Sequence, residues 1–272
     1  MSITVNSAMF VAPQSGSQLF KVQEESKSSF AALSSGIKIN QASDNPGLMG
    51  MISRLTSEVR NINVARQNVN QGVSLSQVAQ TGVSIVSDDV QRLRELAVQA
   101  ANGTLSDADR SNLHQEAAQL QQNIADTIRD TQFNGQSLLD RNSSISIQSG
   151  SGAGDQTDLQ LRDLSGLNST GTIDLSSQAG AEAALAQLDA DLQELSDFNS
   201  SLGSYQNRLE AAADTISQAA INTEAARAQV RDTDIAAEMA RQTGSAIRMQ
   251  SVIAVQAQAT QISEHIVARL MG

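Results

Sequence analysis

The feature that most constrains this chain is a seven-residue repeat of apolar side chains across residues 185–230. Its members are Leu188, Leu195, Leu202, Leu209, Ile216, Thr223 and Val230. A companion set three or four residues away consists of Leu185, Leu192, Phe198, Tyr205, Ala212, Ala219 and Ala226. Apolar residues at this spacing predict a single helix with one buried face. At 1.5 Å per residue the helix is roughly 70 Å long, so we expect an elongated molecule.

Residues 48–101 carry a second repeat with the same spacing. Its members are Leu55, Ile62, Val69, Ser76, Val83, Val90 and Ala97. Both prolines of the chain lie at or before Pro46, so no later proline interrupts a long helix. Asn102-Gly103 ends this second helix, and we expect Gly103 to form a left-handed cap.

A shorter helix is predicted over residues 106–130, and Ser106 or Asp107 caps its start. The face that we expect to be buried carries Leu113, Ala117, Leu120, Ile124 and Ile128. Residues 133–135, Phe-Asn-Gly, then close this segment with a tight turn.

Residues 142–180 are dominated by Ser, Gly, Thr and Asp. Three short patches alternate between polar and apolar residues, at 144–147, 158–161 and 172–175. Such alternation predicts small, half-buried strands that form a hairpin. A flexible linker is the alternative interpretation of the same composition.

The two ends of the chain have weaker apolar patterns. Helical spacing predicts a helix over residues 17–36 that starts near Pro13. After a break at 231–234, another seven-residue repeat consists of Met239, Ala246, Ile253, Thr260 and Val267. Neither end has enough apolar area to be stable alone, so we expect this repeat to pack on the N-terminal helix and on other copies. The residues expected to pack between copies are Phe30, Leu33, Ile37, Met239, Ala246, Ile253 and Val267.

These patterns together predict a mainly α fold. We expect an elongated antiparallel helical rod, a small β-hairpin region at the turnaround and a terminal coiled-coil-like helix pair. Residues 1–43 and 232–272 form the two halves of an inner terminal domain, and residues 44–231 form the rod domain. Within the rod, the long helices cover about 48–101 and 181–231, the short helix about 106–130 and the hairpin region about 142–180.

The composition argues against several functions. The formal net charge of −11 is unfavourable for nucleic acid binding, which needs clustered Lys and Arg. The chain has no cysteine, which rules out disulfides and thiolate metal sites. Residues 2–20 lack a basic n-region and are too polar to enter a membrane, so no cleavable signal is predicted.

No arrangement of catalytic or metal-binding residues is recognisable. His114 and His265 are the only histidines, and neither has the spacing of a metal-binding motif. The acidic pairs Asp88-Asp89 and Asp189/Asp191 are predicted to lie on solvated helix faces. We therefore predict that the chain is not an enzyme and binds no metal or cofactor.

Three segments carry motifs that are specific enough to suggest a family. They are LSSGIKIN at 33–40, QRLRELAVQAANGT at 91–104 with QFNG at 132–135, and LGSYQNRL at 202–209. In these motifs and their order, the chain resembles bacterial flagellins, and specifically a short form without the variable outer domains.

The resemblance implies a structural subunit of the helical flagellar filament that drives swimming. It implies that both termini form an inner domain and the long helices an outer rod. It further implies unfolded export by the flagellar type III pathway without a cleaved signal, and an extracellular location. Implied partners are other copies of the chain, an export chaperone, the filament cap protein and the hook-associated junction proteins.

The resemblance also implies a contact with Toll-like receptor 5 of vertebrates. The family's receptor-binding Arg, Leu and Glu match Arg92, Leu96 and Glu116. The alternative is that Arg92 and Glu116 simply pair between helices while Leu96 packs.

Two other functions remain open at this point. A hook–filament junction protein shares the same terminal helices. A secreted coiled-coil binding module explains the seven-residue repeats, but it does not explain the capped third helix, the β patch or the paired ends.

Overall fold

The computed structural model describes the backbone of residues 5–271 and the side chains of residues 16–262, 264 and 265. Residues 5–271 form five α-helices and two small antiparallel hairpins, which confirms the mainly α class. The helices are α1 (Val5–Ser35), α2 (Pro46–Ala100), α3 (Asp107–Asp130), α4 (Gln178–Arg231) and α5 (Ile235–Met271). The strands are β1 (Gln132–Phe133), β2 (Gln136–Ser137), β3 (Ser144–Gln148) and β4 (Gln156–Gln160).

The chain divides into two compact units. The central unit comprises residues 58–222, and the terminal unit comprises 1–57 together with 223–272. Long helices α2 and α4 each contribute to both units. The assignment of residues 1–43 and 232–272 to an inner domain stays a prediction.

In the central unit, α2 and α4 run antiparallel and bury their seven-residue repeats. Arg94 Nε lies 2.6 Å from Asp189 Oδ1, and further along the pair Ser76 Oγ donates to the Leu202 carbonyl at 3.5 Å. Ser76 is the polar member of the α2 repeat, and it is fully buried because α4 provides this acceptor. The buried members of the α4 repeat are Leu188, Leu195, Leu202, Leu209 and Ile216.

The turn between α2 and α3 is held by a buried arginine and not by the predicted glycine cap. Gly103 does not adopt a positive φ. Instead, Arg110 of α3 donates from Nε to the Ala100 carbonyl and from Nη2 to the Asn102 carbonyl, both at 3.0 Å. The guanidinium thereby satisfies carbonyls at the end of α2 and places a positive charge at the negative end of its dipole.

Ser106 is the N-cap of α3, one of the two predicted capping residues. Its side chain accepts from the Asp109 backbone N–H, and Asp109 in turn accepts from Ser106, which completes a capping box. These hydrogen bonds from the Ser106 side chain and backbone lower the pKa of the Asp109 carboxyl.

Both hairpins lie where the sequence predicted reversals. Asn134 and Gly135 have φ of 51° and 78° between β1 and β2, the pattern of a two-residue type I′ turn. β3 pairs with β4 from Ser144↔Gln160 to Gln148↔Gln156. Gly72 allows both α4 and this second hairpin to approach α2 closely, because a Cβ there would lie 2.9 Å from Leu209 of α4 and 3.3 Å from Ile147 of β3.

The third alternating patch, residues 172–175, is not a strand, so that part of the prediction is wrong. Its apolar residues Ile173 and Leu175 are buried, but side chains of α3 take the place of a partner strand. Gln121 Nε2 donates to the Ile173 carbonyl at 2.8 Å, and His114 Nδ1 accepts from the Leu175 N–H at 3.3 Å.

Asp191 is buried, contrary to the prediction of a solvated face. It accepts hydrogen bonds from Asn168 N at 3.1 Å, Asn168 Nδ2 at 2.9 Å and Ser169 N at 2.6 Å. These donors lie in the short 3-10 turn Asn168–Thr170, which is thereby fixed to α4. Asp189, two residues earlier, is exposed as predicted.

In the terminal unit, α1 starts earlier than predicted and passes through Pro13. A proline in a helix removes its own N–H donor and its ring crowds the carbonyl four residues earlier, which is a local cost, and α1 continues on both sides of Pro13. The helix ends at Ser35, and the next residue, Gly36, has the φ of 69° that is typical of a left-handed C-terminal cap. α1 then packs antiparallel to α5, with Gln242 Nε2 3.2 Å from Ser26 Oγ and Arg248 Nη2 3.1 Å from Glu25 Oε2.

Candidate assembly surfaces of the terminal helices

The buried face of α5 is unexpectedly polar. Glu238 and Ser245 are buried, and Gln242 between them is half-buried. Half-buried Met249 and Val252 continue the same face at three- and four-residue spacing. On α1 the buried residues include Val22, Ser29 and Ala32. We call these residues of α1 and α5 the seam; they are mostly small or polar and bury little apolar area.

The predicted repeat of α5 lies outside the seam. Met239 is 58% exposed and Ile253 is 52% exposed, and Ala246 between them is also exposed. We refer to Ile235, Met239, Ala246 and Ile253 as the stripe. The expectation that the N-terminal helix covers this repeat is therefore wrong, because α5 turns its more polar side toward α1.

A second group of apolar side chains is exposed on another side of α5. Ile247, Val255 and Ile262 lie roughly 80–160° around the helix from Met239 at 3.6 residues per turn, and each is more than half exposed. α1 also exposes Phe20 and Phe30. Isolated exposed apolar residues are ordinary, but contiguous groups on a long helix mark interaction sites.

The predicted contact residues thus fall into three groups. Phe30, Met239, Ala246 and Ile253 are exposed, whereas Leu33 and Ile37 are half-buried within the terminal unit. The side chain of Val267 lies outside the described residues. Five further exposed apolar residues of α1 and α5 were not predicted from the sequence: Phe20, Ile235, Ile247, Val255 and Ile262. For Val255 and Ile262 the available signal was that residues 249–263 carry no charge on any side of the helix.

In the central unit, the three residues matched to the receptor contact lie together on α2 and α3. Arg92 Nη2 is 3.0 Å from Glu116 Oε1, and Arg92 Nη1 is 2.8 Å from Glu95 Oε2. The hydrogen bond to Glu95, and to a lesser extent the one to Glu116, raises the pKa of the Arg92 guanidinium. Leu96 is only 1% exposed. This geometry matches the alternative interpretation, in which Arg92 and Glu116 pair and Leu96 packs.

Among the described residues, no group of three or more His, Asp or Glu side chains is placed to hold a metal ion. Over the same part of the chain, no helix has a stretch both long and apolar enough to cross a membrane.

Comparison with known proteins establishes the family. Residues 7–144 match the model of the bacterial flagellin N-terminal helical region, and residues 185–270 match that of the C-terminal helical region. The chain belongs to the bacterial flagellin family. Flagellin from Halalkalibacterium halodurans is 35% identical over 84% of this chain and 86% of its own length.

Solved structures agree with this assignment. The crystal structure of Bacillus cereus flagellin is 33% identical, covers 55% of this chain and 88% of its own, and superposes with a TM-score of 0.52. A putative flagellar hook-associated protein from Vibrio parahaemolyticus covers 70% of this chain with a TM-score of 0.61. Because that protein is only 16% identical, the likeness shows a shared fold alone.

Proposed function

We propose that α1 and α5 carry the surfaces through which copies of this flagellin pack against one another. As a flagellin, the chain is a structural subunit of the bacterial flagellar filament. The observation that carries the proposal is the exposed stripe on α5, with a second apolar group on another side of the same helix. A helix that is apolar on several sides is stable in water only when neighbours cover it.

Two exposed faces on one helix also fit the geometry of an open polymer. Head-to-tail contacts join two different surfaces of each copy and generate a helical filament when the rotation does not close. The stripe and the group containing Ile247, Val255 and Ile262 provide such different surfaces. A hook–filament junction protein is the weaker candidate, since the family match and the relative of 35% identity are both flagellin.

Substitution of the stripe tests this proposal. Met239→Ser with Ile253→Ser removes two exposed apolar side chains that the polymer would bury, so the critical concentration for polymerisation should rise at least about tenfold, equivalent to about 1.4 kcal/mol. Electron microscopy and sedimentation of full-length protein measure this concentration. The matched control is Gln250→Ser with Gln258→Ser, which changes two exposed polar residues of the same helix. Equal critical concentrations for both variants would refute the role of the stripe.

The proposal includes export and partners that follow from family membership. The subunit leaves the cell unfolded through the flagellar type III pathway without a cleaved signal and is incorporated outside the cell. An export chaperone, the filament cap protein and the hook-associated junction proteins are its partners besides other copies of itself. Flagellins are structural proteins, and we assign no catalytic activity, nucleic acid binding or membrane insertion to this chain.

A contact with Toll-like receptor 5 is a separate part of the proposal. It is supported by the half-exposed side chains of Arg92 and Glu116. Leu96 would act indirectly by packing α2, since its side chain is buried.

Receptor signalling by the monomer tests this contact. Arg92→Ala should reduce signalling about tenfold if the guanidinium is an interface anchor. Arg129→Ala is the matched control, because Arg129 is an exposed arginine of the same unit that also pairs with two carboxylates. Equal signals from the parent and Arg92→Ala would remove Arg92 from the contact.

A further inference from the structure

The end of α1 and the start of α5 are joined by backbone hydrogen bonds. Lys38 N donates to the Arg231 carbonyl at 2.7 Å, and Thr233 N donates to the Gly36 carbonyl at 3.0 Å. Between these bonds, Ile37 and Asp232 face each other as an antiparallel bridge. We call residues 36–38 and 231–233 the clasp. All six residues belong to the terminal unit.

The segments on both sides of the clasp are ordered by local hydrogen bonds. After it, Asp44 Oδ2 accepts from Asn40 N at 2.9 Å and from Gln41 N at 3.0 Å. Before α5, Asp234 Oδ1 accepts from Ala236 N at 3.0 Å and from Ala237 N at 3.1 Å, which caps the helix. The clasp therefore connects two segments that each have a fixed conformation.

The seam below the clasp specifies the alignment of α1 and α5 poorly. Its α5 side repeats every seven residues, so a slip by one repeat brings Ser245 to the place of Glu238 and Met249 to that of Gln242. The ion pair between Arg248 and Glu25 joins two side chains that are more than half exposed, and such pairs contribute little. Gln242 Nε2 adds a hydrogen bond to Ser26 Oγ at 3.2 Å, which is worth about 1 kcal/mol. A slip of seven residues moves one helix by roughly 10 Å along the other.

We propose that the clasp sets the register of α1 against α5 and thereby makes the assembly surface correct. Its two hydrogen bonds join backbone groups at one place only, so they distinguish one alignment from the next more sharply than the few side-chain contacts of the seam. The register decides where the stripe on α5 lies relative to Phe20 and Phe30 on α1. Lys38, Ile37, Asp232 and Thr233 are thus positioning residues for polymerisation. The inference rests on the proposed role of α1 and α5 in assembly.

Removal of one backbone donor tests whether the clasp is needed. Lys38→Pro deletes the N–H that binds the Arg231 carbonyl, while the extended conformation of a bridge suits both proline and the residue before it. The critical concentration should rise about tenfold, the effect of one lost hydrogen bond and its unpaired acceptor. Lys38→Ala is the control, since it shortens the side chain and keeps the N–H. Equal critical concentrations for Lys38→Pro and Lys38→Ala would overturn the proposal.

A disulfide across the clasp tests whether register is what matters. Ile37 and Asp232 form the pair without mutual hydrogen bonds, whose Cα atoms lie about 4.5 Å apart in antiparallel strands, within reach of a disulfide. Because the chain contains no cysteine, Ile37→Cys with Asp232→Cys creates the single possible disulfide. The oxidised and reduced forms should polymerise at the same concentration. Polymerisation of the reduced form alone would mean that the clasp opens during assembly, and would overturn the proposal.

Combining the changes gives a rescue experiment. In the variant Ile37→Cys, Lys38→Pro, Asp232→Cys, oxidation should restore the critical concentration of the oxidised Ile37→Cys, Asp232→Cys variant, and reduction should raise it again about tenfold. A loss of local folding unrelated to register would not be reversed by the disulfide, so failure of rescue counts against the clasp.

The parent and the stripe variant are measured in parallel with the clasp variants. If the stripe variant has the same critical concentration as the parent, the proposed role of the stripe in assembly is refuted. If only the clasp variants have the parental critical concentration, the register proposal alone is refuted.

Discussion

Replacing Asp191 with alanine is expected to lower the free energy of unfolding of the central unit by about 3–5 kcal/mol. The carboxylate is 2% exposed, and the N–H groups that bind it belong to Asn168 and Ser169. Without the acceptor, the buried Ser169 N–H has neither a protein partner nor bulk water to bind, and the half-buried Asn168 donors lose their protein partner. The alanine variant also avoids the cost of burying a carboxylate anion. This gain offsets part of the lost hydrogen bonding, so the expected loss of stability does not exceed about 5 kcal/mol.

Asp189→Ala is the matched control for this prediction. Asp189 lies two residues away on the same helix and pairs with Arg94 at 2.6 Å, but both side chains are about half exposed. Exposed pairs of this kind are worth about 0–1 kcal/mol. Urea unfolding of the monomer, followed by circular dichroism, measures both variants. A cost for Asp191→Ala no greater than that for Asp189→Ala would contradict the structural role.

Hydrogen exchange adds a local measure of the same effect. The segment from the 3-10 turn to Leu175 has few backbone partners of its own and is fixed through Asp191, Gln121 and His114. Asp191→Ala should therefore speed exchange there before it affects α2 or α4. Asp191→Asn should also be destabilising. Both carboxylate oxygens of Asp191 accept hydrogen bonds, and an asparagine would place its NH2 group, which is a donor, opposite the N–H of Asn168 or Ser169.

The contrast between Asp189 and Asp191 shows what the sequence could and could not reveal. Both are acidic residues on one helix, but only Asp191 lies seven residues before Phe198, on the buried side of the repeat. The repeat does not show which groups bind a carboxylate in that position. The donors that bind Asp191 come from a short 3-10 turn more than twenty residues earlier. In contrast, the helices α2 and α4 could be predicted because each keeps one apolar face in register over many turns.

The terminal helix α5 shows a different limit. Its seven-residue repeat predicted a helix correctly, but periodicity did not identify the buried face. Apolar residues occur on the stripe, on the side of Ile247 and Ile262, and in the seam at Met249 and Val252. When apolar residues surround a helix, the identity of the intramolecular face depends on the partner helix, which here presents small residues such as Ser29 and Ala32. The clasp could not be predicted from the sequence, because its hydrogen bonds join backbone groups that every residue other than proline carries.

Arg110→Ala is expected to destabilise the central unit by about 2–4 kcal/mol. The substitution leaves the carbonyls of Ala100 and Asn102 without their donor at the end of α2, and it removes a side chain that is only 8% exposed. Arg110→Lys should recover part of the loss, since an ammonium keeps the charge at the helix end but lacks the fork that reaches two carbonyls.

Arg129 on the same helix provides the control. It also pairs with neighbouring residues, at 2.7 Å from Asp126 and 3.3 Å from Asp130, but its side chain is 65% exposed. Arg129→Ala should therefore change the free energy of unfolding by less than about 1 kcal/mol. Urea unfolding distinguishes the two arginines. Equal effects would mean that the charge at the end of α2 does not matter and that the α2–α3 turn is held by packing alone. The expected difference instead identifies the buried Arg110 as the residue that replaces the predicted glycine cap.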